Sequence, residues 1–186
     1  MTDIVVADAS AVATMVRLAA HGDETAFARL IAEHHPAMAR VAYIVTGDAE
    51  LTRDAVQAAW SIAWRRLDRL RDPGQVRAWL VAIAANEARQ TMRHQRRATI
   101  VDISEALDRH GGSDPADLIG VLDLERSLRK LPPDDRVLLA LRFVADLDST
   151  EIAAQLGMSA SGVRSRLARL LDRMRADLED RHRARS

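Results

Sequence analysis

The chain has 186 residues, equal numbers of basic and acidic side chains (27 each), 48% apolar residues and only 3% aromatics. That length suits one large domain or two small ones, and scarce aromatics, Gly and Pro favour helical cores of Ala, Leu, Val and Ile over a β-sandwich. The zero formal charge argues against a uniformly basic, histone-like protein, and the absence of cysteine excludes disulfides, thiol catalysis and zinc–thiolate sites.

The first 20 residues are weakly patterned; they read as a mobile stretch or the beginning of a helix. They carry no basic stretch followed by a long apolar run, so no signal peptide is expected. Gly22-Asp23-Glu24 marks a helix start. Phe27, Leu30, Ile31, His34, Met38, Val41 and Val45 then share one stripe until Gly47-Asp48. A second helix carries Leu51, Ala55, Val56, Trp60, Ala63, Trp64 and Leu67 at steps of three and four and ends before Asp72-Pro73-Gly74. A third begins near Gln75. Val76, Trp79, Leu80 and Ile83 give its first half an apolar stripe, which fades after Ala84. Its second half presents Asn86, Gln90, Arg93 and Arg97 on one face. Amide and guanidinium groups of this kind can hydrogen-bond base edges and phosphates.

Residues 98–120 break the pattern, most sharply at His110-Gly111-Gly112-Ser113-Asp114-Pro115. This stretch reads as an acidic interdomain linker. Beyond it, Leu124, Leu128 and Leu131 form a short helix stopped by Pro132-Pro133. Asp134 and Asp135 open the next one, with Val137, Leu138, Leu141 and Val144 inward. Asp148 and Glu151 have the spacing of a capping box. Ile152, Ala153 and Leu156 form that helix's inner face, and Gly157 ends it. Ser159 caps a last helix whose inner face is Val163, Leu167, Leu170, Met174 and Leu178.

The charge map follows these divisions. Residues 53–97 hold ten Arg against four acids, residues 102–125 seven acids against one Arg, and residues 160–186 eight Arg against four acids. Two basic blocks flank an acidic one, a layout that bears on partners more than the net sum does. Charge counts alone fit solvated helix faces too; placement decides. Ser149 to Arg173 reads as a helix-turn-helix: a short helix, a turn with Gly, and a longer helix with Ser161, Arg164, Ser165, Arg166 and Arg169 toward solvent near its start. Hydroxyl and guanidinium groups there suit phosphates and guanine edges. An ordinary amphipathic hairpin has the same periodicity; the Gly turn, the two caps and the Arg-rich outer face together favour DNA binding.

Leu131-Pro132-Pro133-Asp134-Asp135-Arg136, Glu151-Ile152-Ala153, Leu156-Gly157-Met158-Ser159 and Val163-Arg164-Ser165-Arg166-Leu167 resemble region four of the sigma-70 family, most closely the extracytoplasmic-function (ECF) RNA polymerase sigma factors. Gly22-Asp23-Glu24, Ala26-Phe27, Asp54-Ala55-Val56-Gln57, Ala63-Trp64 and Arg77-Ala78-Trp79-Leu80 through Asn86 resemble region two, in family order and spacing. The resemblance implies an all-α fold of two small helical domains joined by a flexible acidic linker. Residues 1–20 would be an N-terminal segment, 21–97 the region-two bundle, 98–120 the linker and 121–182 the region-four helix-turn-helix.

It also implies a function. Region two would dock on core RNA polymerase and open the minus-ten element of promoter DNA, and region four would read the minus-thirty-five element. Carried over by position, Val56, Gln57 and Trp60 lie in the polymerase-docking helix with Ala63 and Trp64. By period most of these are core, Trp64 included, and Gln57 is the best contact. Asn86, Gln90, Arg93 and Arg97 fall on the minus-ten face; Ser161, Arg164, Ser165, Arg166 and Arg169 fall on the duplex-reading helix. The loop from Leu70 to Val76 lies where an unstacked base is held, and Trp79 is expected to be buried. The pattern departs from the family at Ala58, where an acid is usual, at Ser161-Gly162 and at Thr150. An anti-sigma factor is an expected partner. No cofactor, metal or active site is expected, since His34-His35 lacks helical metal-ligand spacing and reads as a pair of satisfied core or surface histidines. With no run of the roughly 18 apolar residues a membrane span needs, a soluble cytoplasmic protein is expected. The rival readings are a stand-alone helix-turn-helix regulator and a polymerase-binding decoy without promoter activity.

Overall fold

The boundaries of the first helices are set by aspartates and glycines. The structure, a computed structural model, describes the backbone of residues 2–99 and 126–183 and the side chains of 10–95, 126–180 and 183. Helix α1 (Thr2–Ala20) takes up the weakly patterned start and packs on α2 through Val16 and Ala19. Asp23 caps α2 (Glu24–Thr46), its carboxylate accepting from the Ala26 amide at 2.9 Å. Gly47 ends α2 in the left-handed region (φ 67°), where its N–H reaches the Tyr43 carbonyl. Asp48 then caps α3 (Ala49–Arg66), accepting from the Glu50 and Leu51 amides. Short 3-10 turns at Leu67–Arg69 and Pro73–Gln75 lead into α4 (Val76–Thr99).

Helices α2, α3 and α4 pack mutually around Leu30, Met38, Val41, Val45, Val56, Leu80 and a series of alanines. Ala55, Ala59, Ala63, Ala84, Ala85 and Ala88 are almost wholly buried. Small side chains let the helix axes approach closely, which is how a core poor in aromatics still fills its volume.

After the segment that lies outside the described residues, which contains most of the expected linker, the chain is helical over 126–130. Leu128 and Leu131 pack inward there; Leu124 lies outside the described residues. Pro133 opens α5 (Pro133–Leu139), which widens into a π-helical turn at Ala140–Val144 closed by the Ala145 N–H to Ala140 carbonyl bond. Helices α6 (Ser149–Leu156) and α7 (Ala160–Arg183) follow. Among the described residues there is no strand.

The sequence left open whether the two halves touch. They do: α5 and its π turn pack on α2 and α4, and α6 packs on α4. Leu138, Leu141, Ile152 and Leu170 belong to the same buried cluster as Val45, Leu80 and Ala85. Arg136, almost fully buried, donates from Nη1 to the Val45 carbonyl at 2.9 Å while Nε and Nη2 hold the Leu131 and Arg129 carbonyls. A cation thus meets the exposed carbonyls of α2's last turn, where the helix dipole favours it.

Candidate nucleic-acid interface

The second half of the chain holds one helix away from its core by a tight, well-capped turn. Asp148 accepts from the Thr150 and Glu151 amides at 2.7 and 2.8 Å, and Glu151 accepts from the Asp148 amide at 2.7 Å, completing the capping box. Gly157 (φ 65°) reverses the chain, and Ser159 Oγ accepts from the Gly162 amide at the start of α7. Ile152, Val163, Leu167 and Leu170 are buried between the two helices and the rest of the unit. Ser161, Arg164, Ser165 and Arg169 consequently stand in solvent along the first turns of α7. Among the described residues neither Arg164 nor Arg169 has an ion-pair partner.

Arg166 departs from the expected outward set. It borders the buried stripe, next to Leu167, and leans in: Nε and Nη2 donate to Asp135 Oδ1 at 2.9 and 2.8 Å. Arg173, two turns on, donates to Asp135 Oδ2 at 2.9 Å. Asp135 is buried, so its charge is balanced by two guanidiniums that tie α7 to α5. Sequence alone marked Asp135 as a first-turn acid and did not show this clamp.

On α4 the four face residues divide. Gln90 is exposed, its Nε2 donating to Glu87 Oε1 at 3.0 Å. Asn86 is half-buried, and its Oδ1 accepts a short hydrogen bond from Arg89 Nη2. Arg93 is exposed, yet its Nη2 donates to both oxygens of Asp134 at 3.2 and 3.1 Å. The backbone of Arg97 continues α4, but its side chain lies outside the described residues. Arg89 joins Arg93 on Asp134, with Nη1 to Oδ1 at 3.3 Å. Arg89 and Asp134 are the residues the sequence reading missed. The available signal was position: Arg89 stands three residues after Asn86 and four before Arg93, on the same face.

The α3 candidates divide in the same way. Val56 is core, and Trp60 is buried with its indole N–H on His35 Nδ1 at 3.3 Å. Gln57 stands in solvent. Trp64, expected in the core, is 40% exposed and meets Phe27 edge-on with centroids 4.7 Å apart. Trp79, expected buried, is half-buried. In the turn before α4, Asp72 Oδ1 accepts from the Gly74 amide at 2.9 Å, fixing the loop from Leu70 to Val76.

His34 is buried and differs from the satisfied histidine expected. Its Nε2 makes no hydrogen bond, and Glu33 Oε1 stands 3.9 Å away. Burial lowers its pKa below the usual 6.5; Glu33 opposes this and Arg77 adds to it. Among the described residues no cluster of His, Asp and Glu could hold a metal ion. No helix among them is long and apolar enough to cross a membrane.

Comparisons with known proteins converge on these two units. The family model for Sigma-70 region 2 matches residues 30–98, and that for Sigma-70, region 4 matches residues 122–174. The ECF RNA polymerase sigma-E factor of Escherichia coli K12 is 32% identical over 163 residues, covering 80% of this chain and 84% of that protein. The ECF RNA polymerase sigma factor RpoE of Cereibacter sphaeroides is 28% identical over 170 residues, covering 88% and 92%. The probable RNA polymerase sigma factor RfaY of Xanthomonas campestris is 29% identical over 171 residues; the match covers 88% of this chain but only 43% of that longer protein. Among solved structures, CnrH in complex with the cytosolic domain of CnrY superposes with a TM-score of 0.68 at 27% identity, covering 90% of this chain and 97% of that one. The sigma factor RpoE of Bartonella quintana, crystallised with the anti-sigma factor NepR, shares the fold at 22% identity and a TM-score of 0.67, covering 82% and 96%.

Proposed function

Because the chain belongs to the ECF RNA polymerase sigma factors of the sigma-70 family, we propose that it directs core RNA polymerase to specific promoters, opening the minus-ten element with its first unit and reading the minus-thirty-five element with its second. The observation that carries this reading is the solvent-facing row of Ser161, Arg164, Ser165 and Arg169 on a helix held out by a capped turn. Residues 21–97 act as region two, 121–182 as region four, and 98–120 as the linker.

On α7, Arg164 and Arg169 offer guanidiniums to guanine edges or phosphates, and the two serines offer hydroxyls. Arg166 acts as a positioning residue through Asp135. On α4, Asn86, Gln90, Arg93 and Arg97 address the non-template strand, with Arg89 as a further cation on the same face. Gln57 and the exposed rim of Trp64 are the parts of α3 open to polymerase; Val56 and Trp60 shape that surface from beneath. The bond-forming chemistry belongs to polymerase, so the chain acts without a cofactor, in the cytoplasm where polymerase and DNA meet. The sigma factor RpoE of Bartonella quintana is seen bound to the anti-sigma factor NepR, and CnrH to the cytosolic domain of CnrY; an anti-sigma factor is the expected regulator of this chain.

Core polymerase incubated with sheared genomic DNA of the host, with and without the chain, tests the reading. Sequenced transcripts should show chain-dependent start sites sharing two upstream motifs. Start sites identical in both reactions would contradict it. Tight duplex binding without polymerase would favour a stand-alone regulator.

A further inference from the structure

Asp134 lies on the second unit, yet its carboxylate accepts from two arginines of the first, Arg89 and Arg93, at 3.1 to 3.3 Å. Both arginines belong to the polar face of α4. A carboxylate taking two guanidiniums there has the chemistry of a phosphodiester: an anion with paired acceptor oxygens. The neighbouring residues strengthen the closure. Arg89 also holds Asn86 Oδ1, and one turn of α5 carries Asp134 toward α4 and Arg136 toward the Val45 carbonyl of α2. The closure is not complete. An open cleft of about 320 Å³ remains beside the contact, bordered by Asn86, Arg89, Asp134, Leu138, Met158 and Arg166. The buried Nε of Arg89 finds no acceptor in the closed arrangement, and an unpaired buried donor weakens the state that contains it.

We propose that Asp134 is an internal competitor for DNA. In the chain without polymerase it occupies Arg89 and Arg93, so the second unit masks the strand-binding face of the first until polymerase or a phosphodiester displaces it. This rests on α4 being a single-strand-binding face, as proposed above.

The test uses the full chain and two readouts. Because the chain has no cysteine, spin labels can be placed at the exposed positions Glu50→Cys and Ala176→Cys, one per unit, and their separation measured by pulsed electron resonance. Binding is followed by anisotropy of a fluorescein-labelled single-stranded DNA of mixed sequence. The parent should show one narrow separation. Asp134→Asn should add a longer, broad component and tighten DNA binding about fivefold, the scale that two half-exposed arginine–carboxylate pairs supply when closed and open states compete. Asp146→Asn is the control. It removes the same charge from an exposed residue of the same unit, at φ 54°, a conformation Asn tolerates; it should change neither readout. A broad separation already in the parent, an unchanged separation in Asp134→Asn, or an equal affinity gain in Asp146→Asn would each overturn the proposal. Opening without tighter binding would overturn the masking and place the fault in the assignment of α4 rather than in the closure.

Discussion

Adjacent carboxylates in this chain do different work because about 100° of helix rotation separates them. Asp134 faces α4 and Asp135 faces α7. Asp135→Asn should lower the unfolding free energy by about 1–3 kcal/mol in urea denaturation, since a buried acceptor for two guanidiniums loses its charge. The partly exposed arginines can turn to water, which keeps the loss below that of a fully buried pair. Asp134→Asn should stay within about 1 kcal/mol of the parent in the same assay. His34 gives a pH signature. Its folded pKa lies below the unfolded value of 6.5, so the unfolded chain takes up the proton first. The stability associated with neutral His34 is complete above that value and declines as pH falls toward the folded pKa. The parent's midpoint should therefore fall between pH 7.5 and 5.5, and His34→Leu should flatten this decline; an equal decline in both would place the effect on other groups.

At the scale of elements, periodicity and caps made α2 to α7 readable. The stripe from Phe27 to Val45 ran through Pro36, and α2 is indeed continuous there, since one missing N–H does not outweigh the packing of its buried face. Asp148 with Glu151, Gly157 and Ser159 predicted the turn that presents α7. What was not legible depends on three-dimensional neighbours. Trp64 fits the α3 period but meets Phe27 of α2 edge-on at the rim of the bundle and stays 40% exposed. Arg166 stands one residue from the buried stripe, and its length let it reach Asp135. The α4 face looked free because after Ile83 the helix carries few large apolar residues, its buried stripe continuing only through alanines such as Ala85 and Ala88; the partner that covers it comes from 41 residues further along the chain. Asp148→Ala removes a cap that two amides use and should cost about 1 kcal/mol of stability. Circular dichroism melts would show it as a lowered midpoint, and an unchanged midpoint would mean the turn does not depend on this cap.

At the scale of the whole molecule, two units with separate charged helices share a seam. Leu138 and Leu141 of one and Val45 and Ala85 of the other lie in a single buried cluster, and Arg136 bridges the units at α2's last turn. Composition could indicate two units and an acidic spacer, but which surfaces meet depends on contacts between residues far apart in the chain, such as Arg136 with Val45. The arrangement leaves α7's reading face open and covers part of α4's. The two DNA tasks should therefore separate genetically. Arg164→Ala should weaken recognition of upstream duplex by about 1–3 kcal/mol, in a sequence-dependent way, if its contact is bidentate to a base. A loss equal on all sequences would mean phosphate contact alone. The most direct measurement is a paired footprint on one promoter complex with core polymerase: permanganate reactivity of unpaired thymines near the start site, and nuclease protection of the upstream element. Asn86→Ala should lose thymine reactivity while upstream protection and polymerase binding persist, and Arg164→Ala should lose upstream protection. If neither variant changes either footprint, or if Asn86→Ala simply fails to fold, the two-face account is wrong.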